Sequence, residues 1–203
     1  MGALAVRIFH STARMVGLGL LARILYLVVF QCYVFERGHW FSFESCDIAY
    51  SLVSGRGYTL FAGGGPSAWL APVYPWTIAI FFLLFGTLSH AAAFAVLSFN
   101  SLVAALTSWT TYQIARKAFS LSVAIWSGWI WALWPPSVYY SVYWLWDTTL
   151  SAFLLSLVLL LTLAMQNDGR ILRWCLYGLL WGIIALTNPS LLVWLPFSGS
   201  WLA

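Results

Sequence analysis

Two carboxylates three residues apart, Glu44 and Asp47, stand in the polar opening of the stretch FSFESCDIAYSLVSGRGYTLFAGGGPSAWLAPVYPW, residues 41–76. On a helix running from about Phe43 to Ser54, capped by Ser42 and closed by Gly55, that spacing puts both on neighbouring positions of one face. Two carboxylates so close hold a proton between them or recruit a cation. Either arrangement serves a general base that takes a proton from an acceptor hydroxyl or amine. The plain alternative is that acidic residues in a first turn only complement the helix dipole. A third carboxylate, Asp147, opens the segment WDTTLSA. It is read either as an N-cap for a helix starting at Thr148 or as a ligand for substrate or a divalent cation, and a cap's second oxygen stays available for both.

Other side chains near these carboxylates suit substrate contact. Arg56, in Gly55-Arg56-Gly57-Tyr58, is the one cation between Arg37 and Arg116, and a guanidinium there pairs with a phosphate or anchors to lipid headgroups. Tyr58, Trp69, Tyr74 and Trp76 offer rings for a sugar to stack on or for the interface to hold. Gly63-Gly64-Gly65-Pro66 is a turn element without the strand or Gly-Lys-Ser/Thr of a phosphate loop. His10, His39 and His90 have no partner pattern, and no Ser-His-Asp, HExxH or Cys-His spacing points to protease chemistry. Cys32, Cys46 and Cys175 lack metal spacing.

The elements that must position these groups are membrane helices. Hydrophobic residues make up 63% of the chain and charged residues 7%, and the mean hydropathy is +0.89. A water-soluble domain carries about 25% charged residues, so this chain lacks the charge to cover a soluble surface. The fold expected is all-α, a polytopic bundle of about five crossings in one membrane domain over residues 1–203. A structured first outer loop, about residues 36–93, carries juxtamembrane helices. The net charge of +4 reports orientation and anionic lipid rather than nucleic acid, for which no module is present.

A short basic lead, residues 1–14, precedes a first, retained span from about Val16 to Phe35. Arg23 falls inside that span, either snorkelling to headgroups or paired within the bundle. Further crossings are expected at Phe94–Ala115, Leu121–Trp134, Thr148–Met165 and Leu172–Thr187, with residues 190–203 too interrupted to count. The basic clusters Arg7/Arg14, Arg116/Lys117 and Arg170/Arg173 all belong on the cytoplasmic side. That requires an even number of crossings between consecutive clusters, so Val73–Leu88, begun at Pro72 and Pro75, lies along or dips into the outer interface. Glu44, Asp47 and Asp147 then share the non-cytoplasmic face.

An acidic residue soon after the first helix, then AYSLVSGRGY, the small-residue run and AWLAPVYPW, resembles the first outer loop of GT-C-type membrane glycosyltransferases. The bacterial protein O-mannosyltransferase and aminoarabinose transferase-like members are the nearest likeness. NSLVAALTSWTTYQIARKAFS is similar to their following helix, and WDTTLSAFLLSL to the segment whose acidic residue opens a later one. The resemblance implies transfer of a sugar from a polyprenyl-phosphate carrier to a glycan, lipid or protein acceptor, outside the cytoplasm, at a bacterial inner membrane. It places Glu44 as base or positioning group and Asp147 as the second acidic position, with a divalent cation between them as one use. Asp47, Arg56, Tyr58, Trp69 and Tyr74 are the substrate contacts. Trp69 and Leu70 stand where some relatives carry a Glu-Lys pair. Relatives run to about twice this length, so the chain is expected to be an N-terminal half; a catalytically inactive scaffold or half-transferase is the alternative, and a transporter the last choice.

Overall fold

The computed structural model describes residues 11–60, 65–166 and 170–202, without the Arg37 side chain. Arg7, His10, Gly63, Gly64 and Asp168 lie outside them. Among the described residues the architecture is all-α: α1 Thr12–Val29, α2 Arg37–Trp40, α3 Glu44–Val53, α4 Val73–Phe85, α5 His90–Ala118, α6 Leu121–Leu133, α7 Pro135–Tyr143, α8 Thr148–Met165, α9 Ile171–Thr187, a 3-10 turn Pro189–Trp194 and α10 Leu195–Leu202.

Three helices, α1, α5 and α8, are long and apolar enough to cross a membrane. The apolar helices α4, α6 and α9 have 13, 13 and 17 residues, or about 20–26 Å at 1.5 Å per residue, against a hydrocarbon core of about 30 Å. Length alone therefore does not separate the expected interfacial helix α4 from the expected crossing α6. The first helix starts earlier than expected, because Ser11 Oγ accepts from Arg14 N–H and starts α1 at Thr12; its end is marked by Gln31 at φ 49°. Likewise Ser89 caps α5 through the Ala92 N–H, which lengthens the helix to 29 residues.

Side-chain contacts fix the helix directions. Gly128 in α6 packs on Met15 and Tyr112, and Tyr33 meets Phe94 edge-on at 5.4 Å, so α1 runs antiparallel to α5. Asn100 reaches the Trp144 carbonyl and Thr110 bonds Ser156, which makes α8 parallel to α5. Thr162 pairs with Tyr177 and Asp147 with Asn188, so α9 returns antiparallel. Arg14, Arg116, Lys117, Arg170 and Arg173 consequently gather at one end of the bundle, and Asp147 sits at the other. Helix α4 packs on the first half of α5: Tyr74 bonds Asn100, Phe81 meets Phe99, and Ser89 Oγ donates to Phe85 O.

Arg23 is wholly buried and does not snorkel. Its guanidinium donates to the Ala132 carbonyl at 2.6 Å, the Trp131 carbonyl at 3.4 Å, Gly19 O at 2.9 Å and Ser137 Oγ at 2.7 Å. The reason lies in Pro135 and Pro136. An uninterrupted α6 would close its last turn with N–H groups from those two positions onto Trp131 O and Ala132 O, and proline has none to give. Arg23 supplies the missing donors at a helix C-terminus, where a cation also suits the dipole.

Candidate active site

The first loop folds on itself before reaching the bundle. Gly55 and Gly57 both hold φ near +75°, backbone that glycine adopts without a Cβ penalty. They turn the chain after α3 into a narrow excursion, where Ser67 N–H bonds Tyr58 O at 2.9 Å and Thr59 bridges Pro66. The Tyr58 hydroxyl then donates to Leu70 O at 2.8 Å. Burial pushes this phenol above its usual range, so it stays a donor. Ser67 and Leu70 are thereby both tied to Tyr58 just ahead of α4.

Between that strip, the start of α8 and the end of α9 lies a cavity of about 780 Å³. Its walls include Ser45, Tyr58, Trp69, Tyr74, Asp147 and Asn188. Trp69 and Trp76 are 70% and 58% exposed, so two indole faces stand open at its edge. Tyr74 is buried at the base; its hydroxyl accepts from Asn100 Nδ2 at 2.8 Å. Desolvation holds this phenol far above its ordinary pKa, and the nearby Asp147 charge acts in the same direction.

Asp147 does not cap α8. It is itself in helical conformation and makes no capping bond to the backbone. Its Oδ2 instead accepts from Ser151 Oγ at 3.0 Å and from Asn188 Nδ2 at 2.9 Å. Asn188 is the residue that inspection of the sequence missed. The signal available was the Asn188-Pro189 break, since Asn188 Oδ1 accepts from Ser190 N–H and starts the 3-10 turn.

The expected site residues fall into two groups. Asp147, Tyr58, Trp69 and Tyr74 meet at the cavity. Glu44, Asp47 and Arg56 are not among its lining residues. Glu44 is exposed in the first turn of α3, adjacent in sequence to the lining Ser45, while Asp47 is buried. Arg56 lies 4.9 Å from the Tyr50 ring centroid, a cation–π contact. Ser42 is not the cap of α3: its hydroxyl turns back to His39 O, and Phe43 takes the cap position without a side-chain bond. Among the described residues no three His, Cys, Asp or Glu side chains converge to hold a metal ion, so Glu44 and Asp147 do not belong to such a cluster.

An isolated carboxylate with one oxygen tied to two donors, set among exposed indoles, can accept a proton from a nucleophile or orient a sugar hydroxyl. The family model described as dolichyl-phosphate-mannose-protein mannosyltransferase matches residues 69–199. That interval holds Trp69, Tyr74, Asp147 and Asn188. No curated protein matches the chain, and no solved structure does.

Proposed function

Because the chain belongs to the dolichyl-phosphate-mannose-protein mannosyltransferase family, a family of membrane glycosyltransferases with polyprenyl-phosphate sugar donors, we propose that its cavity transfers such a sugar to an acceptor at the non-cytoplasmic face. The single observation behind this reading is Asp147, a carboxylate at the cavity wall beside Tyr58, Trp69 and Tyr74. The positive-inside rule favours the outer face, because the basic ends of α1, α5 and α9 gather opposite the cavity. A bacterial inner membrane is the proposed setting, and a glycan, lipid or protein hydroxyl or amine the proposed acceptor.

In the proposed reaction the acceptor oxygen or nitrogen attacks the anomeric carbon. The bond from that carbon to the phosphate oxygen breaks, and the phosphate leaves with the bonding pair on its carrier. The acceptor's proton passes to Asp147. Glu44 is the second carboxylate of the proposal, at the α3 edge of the chamber, as base or acceptor-positioning group. Trp69 offers a sugar-stacking face, Tyr74 a hydroxyl at the base, and Asp47, Arg56 and Tyr58 complete the substrate side, Arg56 toward the carrier phosphate. A divalent cation at Glu44 or Asp147 would supply further charge for the leaving phosphate.

One observation favours the rival, an inactive half-transferase or scaffold: among the described residues no Lys or Arg lines the cavity, and a departing phosphate wants a cation. Transfer of labelled mannose from a polyprenyl-phosphate mannose, in membranes carrying their own acceptors, decides between them. Asp147→Asn should cut the rate about 10²–10⁴-fold, the usual worth of a positioned base. A variant as fast as the wild type, or a wild type without transfer, would favour the rival.

A further inference from the structure

Asp147 has two carboxylate oxygens, and among the described residues only Oδ2 is hydrogen-bonded. Oδ2 receives both Ser151 Oγ and Asn188 Nδ2. Ser151 comes from the same helix, one turn on, and would move with Asp147. Asn188 comes from a different element, the junction where α9 ends and the 3-10 turn begins. Its amide is committed at both ends: Oδ1 accepts from Ser190 N–H at 3.2 Å, and Nδ2 donates to Asp147 at 2.9 Å. An amide whose oxygen is held by its own backbone can present only its NH₂ to a neighbour, so its direction is set before the carboxylate arrives. Pro189 helps by fixing its own φ directly after Asn188 and by keeping α9 from continuing past the junction.

We propose that Asn188 is the positioning residue of the transfer reaction: it locks the Asp147 carboxylate by Oδ2, across the α8–α9 gap, so that Oδ1 is the oxygen offered to the acceptor. This rests on the transferase reading above. It also gives the helix break at 188–189 a purpose beyond ending α9, since both residues line the same cavity as Asp147. A carboxylate held only by Ser151 could rotate about its terminal torsion, which is broad and soft. A misplacement of about 1 Å costs as much as 10²-fold in rate.

Asn188→Ser separates positioning from capping. Serine still accepts from the backbone N–H that starts the 3-10 turn, but it has no amide to reach Asp147. Two measurements are made on the full chain. The first is mannose transfer from polyprenyl-phosphate mannose in membranes, read as kcat and KM for the donor. Asn188→Ser should lose about 10–10²-fold in kcat with KM within about threefold, the pattern of a group acting on the reacting geometry rather than on binding. The second needs no substrate: melting of wild type, Asn188→Ser, Asp147→Ala and the double variant. The Tm losses should be non-additive, the double variant melting no lower than the worse single one, as for residues sharing a hydrogen bond.

Additive Tm losses would overturn the tether. Non-additive losses with wild-type kcat in Asn188→Ser would overturn positioning and leave a structural bond. A wild type that transfers no mannose would instead remove the reaction reading, and the positioning role with it, whatever the melting cycle showed.

Discussion

The bond set of Arg23 predicts a dependence on two prolines more than a hundred residues away. Replacing Arg23 with Leu removes the donors to Trp131 O and Ala132 O and leaves both carbonyls at the end of α6 without the N–H groups that Pro135 and Pro136 cannot give. Each buried carbonyl stripped of its partner costs about 1–3 kcal/mol, so the pair costs about 2 kcal/mol at the low end. Against this stands the relief of removing a charge from the bundle, worth about 2.5–3.5 kcal/mol on insertion scales. The two nearly cancel, so the melting point of Arg23→Leu alone decides nothing. The cycle does: in a Pro135→Ala/Pro136→Ala background, α6 regains its own donors and the carbonyls no longer need the arginine. The desolvation of the charge is common to both backgrounds, and a guanidinium that has lost those two acceptors in the alanine background only widens the difference. Arg23→Leu should therefore lower Tm by about 4–8 °C more in the native background, at about 2–4 °C per kcal/mol for a chain of this size. Thermal unfolding of detergent-solubilised protein, followed by fluorescence-detected size exclusion, measures all four proteins. Equal Tm changes in the two backgrounds would refute the reasoning.

Tyr74→Phe removes one of the two acceptors of the buried Asn100 amide, the other being Trp144 O, and should cost about 1–3 kcal/mol, or about 2–12 °C in Tm; adding Asn100→Leu should recover only part of it, because Trp144 O then loses its Asn100 donor. A Cβ at Gly128 would stand 2.5 Å from Met15 Sδ and 3.1 Å from Tyr112 Cβ, so Gly128→Leu should overpack the α1–α5–α6 contact and cost about 1–3 kcal/mol, seen in the same melting assay. Burial, with the adjacent Asp47 charge second, raises the Cys46 thiol well above 9.0; at pH 8 it stays protonated and should resist maleimide, while the exposed Cys175 reacts. The sign for stability follows from the raised value: the contribution of Cys46 is intact below pH 9.0 and lost as pH climbs toward the folded-state value, so Tm should fall on that side.

Local signals in the chain were legible and long-range ones were not. Thr148–Met165 comes out with the same bounds from hydropathy and from the structure, and the Pro135-Pro136 stop of α6 and the Gly55 close of α3 follow from backbone chemistry alone. Ser42 shows the limit of that method. It has the right type and place for a cap, yet a bond to His39 O, in the short turn of α2, competes for its hydroxyl. The same competition moved Asp147 from cap to cavity wall, because Ser151 and Asn188 offer its carboxylate better-placed donors than the backbone does. Arg23 is the clearest case: three of its four acceptors lie 108 to 114 positions on, beyond the reach of any local pattern. The sequence pairs Glu44 with Asp147 as the two acidic positions and sets Asp47 and Arg56 as substrate contacts, and only the fold separates a residue beside the cavity strip from one in its wall.

Sugar transfer at Asp147 requires its chamber to open on the outer side of the membrane, opposite the basic helix ends. With Cys175 replaced by Ser, single cysteines at Ser67 and at Lys117 can be exposed to a membrane-impermeant maleimide added to intact cells. An outward-opening chamber gives labelling at 67 and protection at 117 until the membrane is permeabilised. Labelling at 117 with protection at 67, or both positions reacting from one side of the sealed membrane, would contradict it.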